Sequence, residues 1–323
     1  MNLIIELLTN PAIISLSVGF FIGIARTFTI PRWLSECLAI YLIFIIGLKG
    51  GACLGAFNAC TPALFSLAAV GALVGFIQPF IYYAILSVLG RIDSDTRAVI
   101  ASQYGSISIV TFVTGISFLT HYQVSYDSFM SFVAGIMEIP AIFSGLLLVE
   151  YRKSQKDRSL VTTLVNITQN IILCKKINMI FVGFLAGSLL KIFGIESLFS
   201  ALILPFNFVL IIFMIDIGIK IAGQRSHFSS FTPGLLMFGI GAPLVSGILG
   251  IIIASYFTHT PGTILLFALL LASASYIAVP AIMSTRVKGA KEALYLPLSL
   301  GITLPFNIMI GIPLFYSLIT TFL

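Results

Sequence analysis

The sequence predicts an all-α, polytopic membrane protein: ten transmembrane helices forming two inverted five-helix repeats with discontinuous crossing helices. Three observations carry this. Charged residues make up 9% of the 323, and mean hydropathy is +1.13. Apolar runs such as LAIYLIFIIGL and GILGIIIASYF approach the ~20 residues a helix needs to cross a bilayer, whereas barrel strands alternate over about ten. The third observation is how the basic residues fall between the spans.

The N-terminal stretch MNLIIELLTNPAII has no basic n-region, the first cation being Arg26, and no small-residue cleavage site follows its apolar part, so residues 9–27 read as the first membrane span rather than a removable signal. Apolar runs bounded by breakers then give 33–50, 61–90, 98–120 and 128–150. After a polar stretch come 177–193, 197–221, 231–256, 262–284 and 293–321. Loops after odd-numbered spans hold 15 of the 17 cations, leaving only Lys49 and Lys191 opposite. By the positive-inside rule this places both termini outside and the odd loops in the cytoplasm. The net charge of +6 follows from basic loops facing anionic headgroups and argues for no nucleic-acid partner.

The segment EYRKSQKDRSLVTTLVNITQNIILCKK separates a first repeat at 1–150 from a second at 177–323, with a cytoplasmic connector at 151–176 and an interfacial helix at 159–173. VGFFIG at 18–23 returns as VGFLAG at 182–187, and IGLK at 46–49 as IGIK at 217–220, offsets of 164 and 171. The pair Ala101–Ser102 returns at 272–273 with the second offset. Because five spans is an odd number, the second repeat must be inverted, as in many secondary transporters.

The fourth span, AVIASQYGSISIVTFVTGISFLT, and the ninth, TILLFALLLASASYIAVPAIMST, both turn polar near their middles, with Gly105, Gly115 and Pro280 as breaks. Hydroxyls and freed carbonyls are hard oxygen ligands suited to Na⁺, while helix N-termini present amides to an anion. The competing reading is that small residues allow close helix packing and the hydroxyls bond their own i−4 carbonyls. Two carboxylates lie inside spans, where charge is expensive. Glu138 precedes Pro140, which is expected to open the helix one turn back and free carbonyls beside the carboxylate. Its alternatives are a structural hydrogen bond or a place nearer the surface. Asp216 is one turn before Lys220, the spacing of an i, i+4 ion pair, and Glu36 has the same spacing from Arg32. Asn207 and Asn307 each follow a proline by two, in a repeated L-P-F-N.

These residues also carry a resemblance. IGLKGG at 46–51, SYDSFMSFVAGIMEIPAI at 125–142 and IGIPLF at 310–315 resemble, in that order, motifs of the sodium-dependent bicarbonate transporters first known from cyanobacteria. The resemblance covers nearly the whole chain except the connector, which is shorter here. It implies Na⁺-coupled uptake of bicarbonate or a similar small anion by an elevator mechanism, with a core of spans three to five and eight to ten moving against a gate of spans one, two, six and seven. It further implies that substrate and Na⁺ sit where spans four and nine cross. The anion would be held by the amides of Gly105 and Ser106 and of Tyr276 and Ile277, with the hydroxyls of Ser108 and Ser275. The cation would be held by Ser108, Thr111, Glu138 and Ser273.

This chain departs from the family at that crossing. The family's G-A-V-S-G-S-T is Gly105, Ser106, Ile107, Ser108, Ile109, Val110, Thr111 here, and its S-S-S-D is Ser273, Ala274, Ser275, Tyr276. Tyr276 removes the carboxylate with the strongest Coulomb attraction for a cation, while Glu138 stands at the family's M-D-I-P aspartate. Lys220 replaces an acidic residue. The resemblance also implies the cell inner (plasma) membrane, a homotrimer, and a small PII-like signalling protein at the cytoplasmic face.

Other function classes stay open at this point: a proton-coupled carrier of another small carboxylate, using Glu138, and a transport-inactive membrane regulator. Enzyme chemistry is not expected. His121, His227 and His259 lie in predicted loops far apart, Cys37, Cys53, Cys60 and Cys174 form no C-x-x-C, and phosphate-loop, HExxH and nucleophile-elbow motifs are missing. No cofactor is expected beyond Na⁺ as coupling ion.

Overall fold

The computed structural model describes residues 11–25, 28–55, 62–89, 92–153, 175–224, 231–276, 279–280, 283, 287 and 289–322, and among them it is helical without strands. The helices are α1 Pro11–Ala25, α2 Arg32–Gly55, α3 Pro62–Leu89, α4 Ser94–Gly105, α5 Ile109–His121 and α6 Met130–Lys153, then α7 Lys175–Ile192, α8 Glu196–Ile203, α9 Phe206–Gly223, α10 Pro233–Ser255 and α11 Pro261–Ala272. The last, α12 Glu292–Phe322, contains π-helical stretches at Ser299–Thr303 and Asn307–Gly311. Among the described residues, seven helical segments are long and apolar enough to cross a membrane, counting α4 with α5 and α8 with α9, while α1, α7 and α11 are shorter apolar helices. The proposed interfacial helix at 159–173 lies outside the described residues.

Two packing groups share the chain. α2 packs most extensively on α7, and α1 on α9; a second set joins α3, α4 and α6, and α10, α11 and α12. α2 touches both sets through α6 and α9. Large apolar side chains such as Phe21, Val88, Leu204 and Met237 face outward, as a lipid-facing surface requires. Residues 98–116 of the fourth span, and α11 from Gly262 onward, are instead buried in protein. That burial permits helix interruption, because unwound backbone at membrane depth survives only where protein or a cavity surrounds it.

Glycines set the closest contacts. A Cβ on Gly19 would overlap the carbonyl of Ile215, and one on Gly218 that of Leu16. On the other pair a Cβ on Gly183 would overlap the carbonyl of Phe44, and one on Gly47 that of Ile180. Gly19 and Gly183, like Leu16 and Ile180, differ by 164; Phe44 and Ile215, like Gly47 and Gly218, differ by 171. The sequence echoes therefore sit in two helix crossings with matching residue contacts. Small-residue packing of this kind draws helices together where lipid removes any hydrophobic drive.

Three local expectations change. α6 continues through Pro140 without a break, so only the Ile136 carbonyl loses its usual i+4 donor. α5 runs unbroken through Gly115, because this glycine serves the close approach of Leu269 and not a turn. Arg32 and Glu36, both exposed, form no ion pair, since at such sites Coulomb attraction barely offsets the cost of fixing two long side chains.

Candidate functional site

The fourth span breaks at Ser106–Ser108. α4 closes on Gly105, and the Ser106 N–H donates back to the Gln103 carbonyl at 3.3 Å. Gly105 is required there, since any Cβ would overlap the ring of Pro79 on α3. Ser108 then caps α5, its hydroxyl accepting from the Thr111 N–H at 3.2 Å. The first amides of α5, those of Ile109 and Val110, have no intrahelical acceptor. This moves the free N–H groups of the break from Gly105 and Ser106, whose amides close α4, to Ile109 and Val110.

α11 ends at Ala272, and Ser273 turns extended. The two breaks are stitched to one another. The Ser108 N–H donates to the Ser273 hydroxyl at 2.8 Å, and the Ser275 N–H donates to the Gln103 carbonyl at 2.8 Å. The Ser275 hydroxyl accepts from the Val279 N–H at 3.3 Å, and Asn307 on α12 donates through Nδ2 to the carbonyl of Ala272 at 2.8 Å. Ile277 lies outside the described residues.

Around this crossing four buried polar atoms have no hydrogen-bond partner among the described residues: Gln103 Oε1, Ser106 Oγ, Thr111 Oγ1 and Asn307 Oδ1. An orphaned buried polar atom costs roughly 1–3 kcal/mol, so four clustered near two helix ends suit a site that receives a ligand. Ser108, Ser275, Tyr276 and the buried Glu138 line a cavity of about 10 Å³ together with Ile43 of α2, which is room for one small ion or water. Tyr276 also lines a larger vestibule of about 420 Å³, bounded by Ser35, Phe213 and Lys220 on α2 and α9 and by Leu300 on α12. The vestibule therefore leads to the crossing from the Arg32 end of α2.

Other predicted polar residues are accounted for structurally. Lys220 Nζ lies 2.6 Å from Asp216 Oδ2, and Ser35 bonds both, which is the ion pair the spacing suggested. Ser102 and Thr114 donate to their i−4 carbonyls at 2.6 and 2.8 Å and are packing hydroxyls. No group of His, Cys, Asp and Glu suited to a metal ion occurs among the described residues.

The chain matches the family model of the Na⁺-dependent bicarbonate transporter superfamily over residues 11–320. It belongs to that superfamily. No curated protein matches the chain. Membership makes it a membrane transporter of a sodium-dependent bicarbonate family.

Within this superfamily member, the structure brings Gly105, Ser106, Ser108, Thr111, Glu138, Ser273, Ser275 and Tyr276 to one crossing. Sequence reading missed Gln103, Ser299 and Asn307 as partners there, Gln103 Nε2 donating to Ser299 at 3.4 Å. The available signal was a buried amide inside a span, which is costly unless used. The repeated L-P-F-N obscured it: Asn207 is exposed on α9, while Asn307 is wholly buried on α12.

Proposed function

We propose that this protein carries bicarbonate, or a similar small monoanion, into the cell in symport with Na⁺ by an elevator movement. The observation that carries the reading is the pair of interrupted helices, buried and hydrogen-bonded break to break, with orphaned oxygens around them. Ser106, Thr111, Gln103 and Asn307 offer neutral hard oxygens for Na⁺, and Glu138 supplies the negative charge that Tyr276 no longer provides. The free amides of Ile109 and Val110 face the same break and suit an anion.

Two inverted five-helix repeats, with ten membrane crossings and both termini outside the inner membrane, form the scaffold. The matching contacts at offsets of 164 and 171 support that duplication. The moving core is α3–α6 with α10–α12, and the gate is α1, α2 and α7–α9, a division supported by the two packing groups. With the Arg32 end in the cytoplasm, the vestibule that reaches Tyr276 makes this conformation inward-facing. Assembly as a homotrimer and capping by a PII-like protein belong to the same reading.

A second reading has its own observation. Tyr276 in place of an acidic residue leaves Glu138 as the carboxylate lining the cavity, and a buried carboxyl suits a proton carrier. Uptake of labelled bicarbonate into proteoliposomes, driven by a Na⁺ gradient or by a pH gradient alone, separates the two. Na⁺-driven uptake lost in Glu138→Gln and Ser108→Ala supports symport. Uptake driven by pH without Na⁺ establishes proton coupling, and no uptake by folded protein overturns both.

A further inference from the structure

The two lysines at the ends of the sequence echo, Lys49 in IGLK and Lys220 in IGIK, occupy matching places in their repeats but different chemical surroundings. Lys220 is neutralised by Asp216 at 2.6 Å. The residue at the matching distance before Lys49 is Ile45, so Lys49 has no such carboxylate. Lys49 is partly buried, and its contact is the face of Phe206, 4.4 Å from Nζ to the ring centroid. An aromatic face attracts a cation but accepts no conventional hydrogen bond, and an ammonium has three N–H donors. Among the described residues Lys49 has no hydrogen-bond or carboxylate partner.

Lys49 also lines a cavity of about 570 Å³ with Ser128, Ser131, Ser200 and Tyr126. The walls come from α2, α7 and α8 on one side and from α6 and the segment before it on the other, so the cavity lies between the two packing groups. It sits at the end of α2 opposite Arg32, roughly 25 Å along the helix at 1.5 Å per residue. Lys191 and Glu196, the other charged residues lining it, pair with each other at 3.1 Å, so Lys49 leaves the lining at a net +1. The vestibule at the Arg32 end differs, since Arg32 and Lys220 are matched there by Glu36 and Glu292. None of the crossing residues lines the Lys49 cavity.

We propose that this second vestibule is a waiting site for a small monoanion, held by the Lys49 ammonium with the hydroxyls of Ser128, Ser131 and Ser200, and handed to the crossing when the core moves. The inference rests on the reading of the protein as an anion carrier. A serine-lined, singly cationic pocket holds a compact monoanion by charge-assisted hydrogen bonds.

The test is the concentration dependence of labelled bicarbonate uptake into proteoliposomes for wild type, Lys49→Gln and Lys49→Arg. Losing one charge-assisted contact predicts about a tenfold rise in the half-saturating bicarbonate concentration for Lys49→Gln, with maximal rate and Na⁺ dependence retained. Lys49→Arg keeps the charge and is expected to restore most of the affinity. An unchanged half-saturating concentration in Lys49→Gln overturns the proposal, as does a lowered maximal rate alone. Should wild type carry no bicarbonate, thermal unfolding in detergent with added bicarbonate, chloride or nitrate decides separately. Anion-dependent stabilisation that is weakened in Lys49→Gln keeps the site although the transport reading falls, and equal behaviour of the two proteins overturns the site itself.

Discussion

The backbone N–H of Ser108 donates to the hydroxyl of Ser273 across 165 positions of sequence, joining the break in one buried span to the break in another. Each interruption is thereby stabilised by the other, because neither set of freed backbone groups has water to turn to.

Ser273→Ala removes the acceptor of that amide. An unsatisfied buried N–H costs about 1–3 kcal/mol, so thermal unfolding in detergent is expected to occur several degrees lower, with reduced uptake. An unchanged unfolding temperature would show that the contact contributes nothing.

Glu138→Gln keeps the shape but removes the charge and replaces one acceptor oxygen by an amide donor. Uptake is expected to lose its dependence on the Na⁺ gradient, while Glu138→Asp, one methylene shorter, retains part of it. Full Na⁺ dependence in the glutamine variant would remove Glu138 from the cation site.

Gly105→Ala forces a methyl group into the ring of Pro79, which is fixed in α3 and has no rotamer to yield. Overpacking of this kind costs about 1–3 kcal/mol. At Gly223, where a Cβ meets open space, the same substitution is expected to be neutral or to stabilise by about 0.4–1 kcal/mol. Equal unfolding temperatures for the two variants would contradict the close approach of α4 to α3.

The pair Asp216–Lys220 is lopsided, the carboxylate side chain being 2% exposed and the ammonium 45%. Lys220→Gln strands a buried charge and is expected to cost about 3 kcal/mol, whereas in Asp216→Asn the lysine turns to solvent at a cost of about 1 kcal/mol. Comparison of the two unfolding temperatures tests the order.

Asp93, the N-cap of α4, supplies a pH dependence. Desolvation pushes its carboxyl up, but hydrogen bonds from the Thr96 N–H and hydroxyl and the nearby Lys291 ammonium outweigh that and hold it below its ordinary value of 3.8. A depressed folded-state value means the stabilisation is complete above 3.8 and is lost as pH falls through the lower value. Asp93→Ala is therefore expected to lower the unfolding temperature at neutral pH, by the equivalent of about 1 kcal/mol for a lost cap, and to converge with wild type in strong acid. A constant difference across that range would exclude titration of Asp93 as the cause.

Much of the site was legible because intramembrane polarity is rare: Ser106, Ser108, Ser273 and Ser275 stood out against apolar runs, and so did Glu138. Pro140 misled, since α6 stays helical through it. Gly115 misled for a related reason: a glycine reads alike whether it frees the backbone or lets Leu269 approach.

By itself the sequence determined the solvent, the helical class and the internal echo, because bilayer thickness and the cost of buried charge act on each segment independently of the rest. Tertiary structure alone decided that Ser108 bonds Ser273, that Asn307 is buried while Asn207 is exposed, and that Lys220 is neutralised while Lys49 is not. Those outcomes depend on which helix face meets which neighbour, and identical local sequence acquires different chemistry from different surroundings.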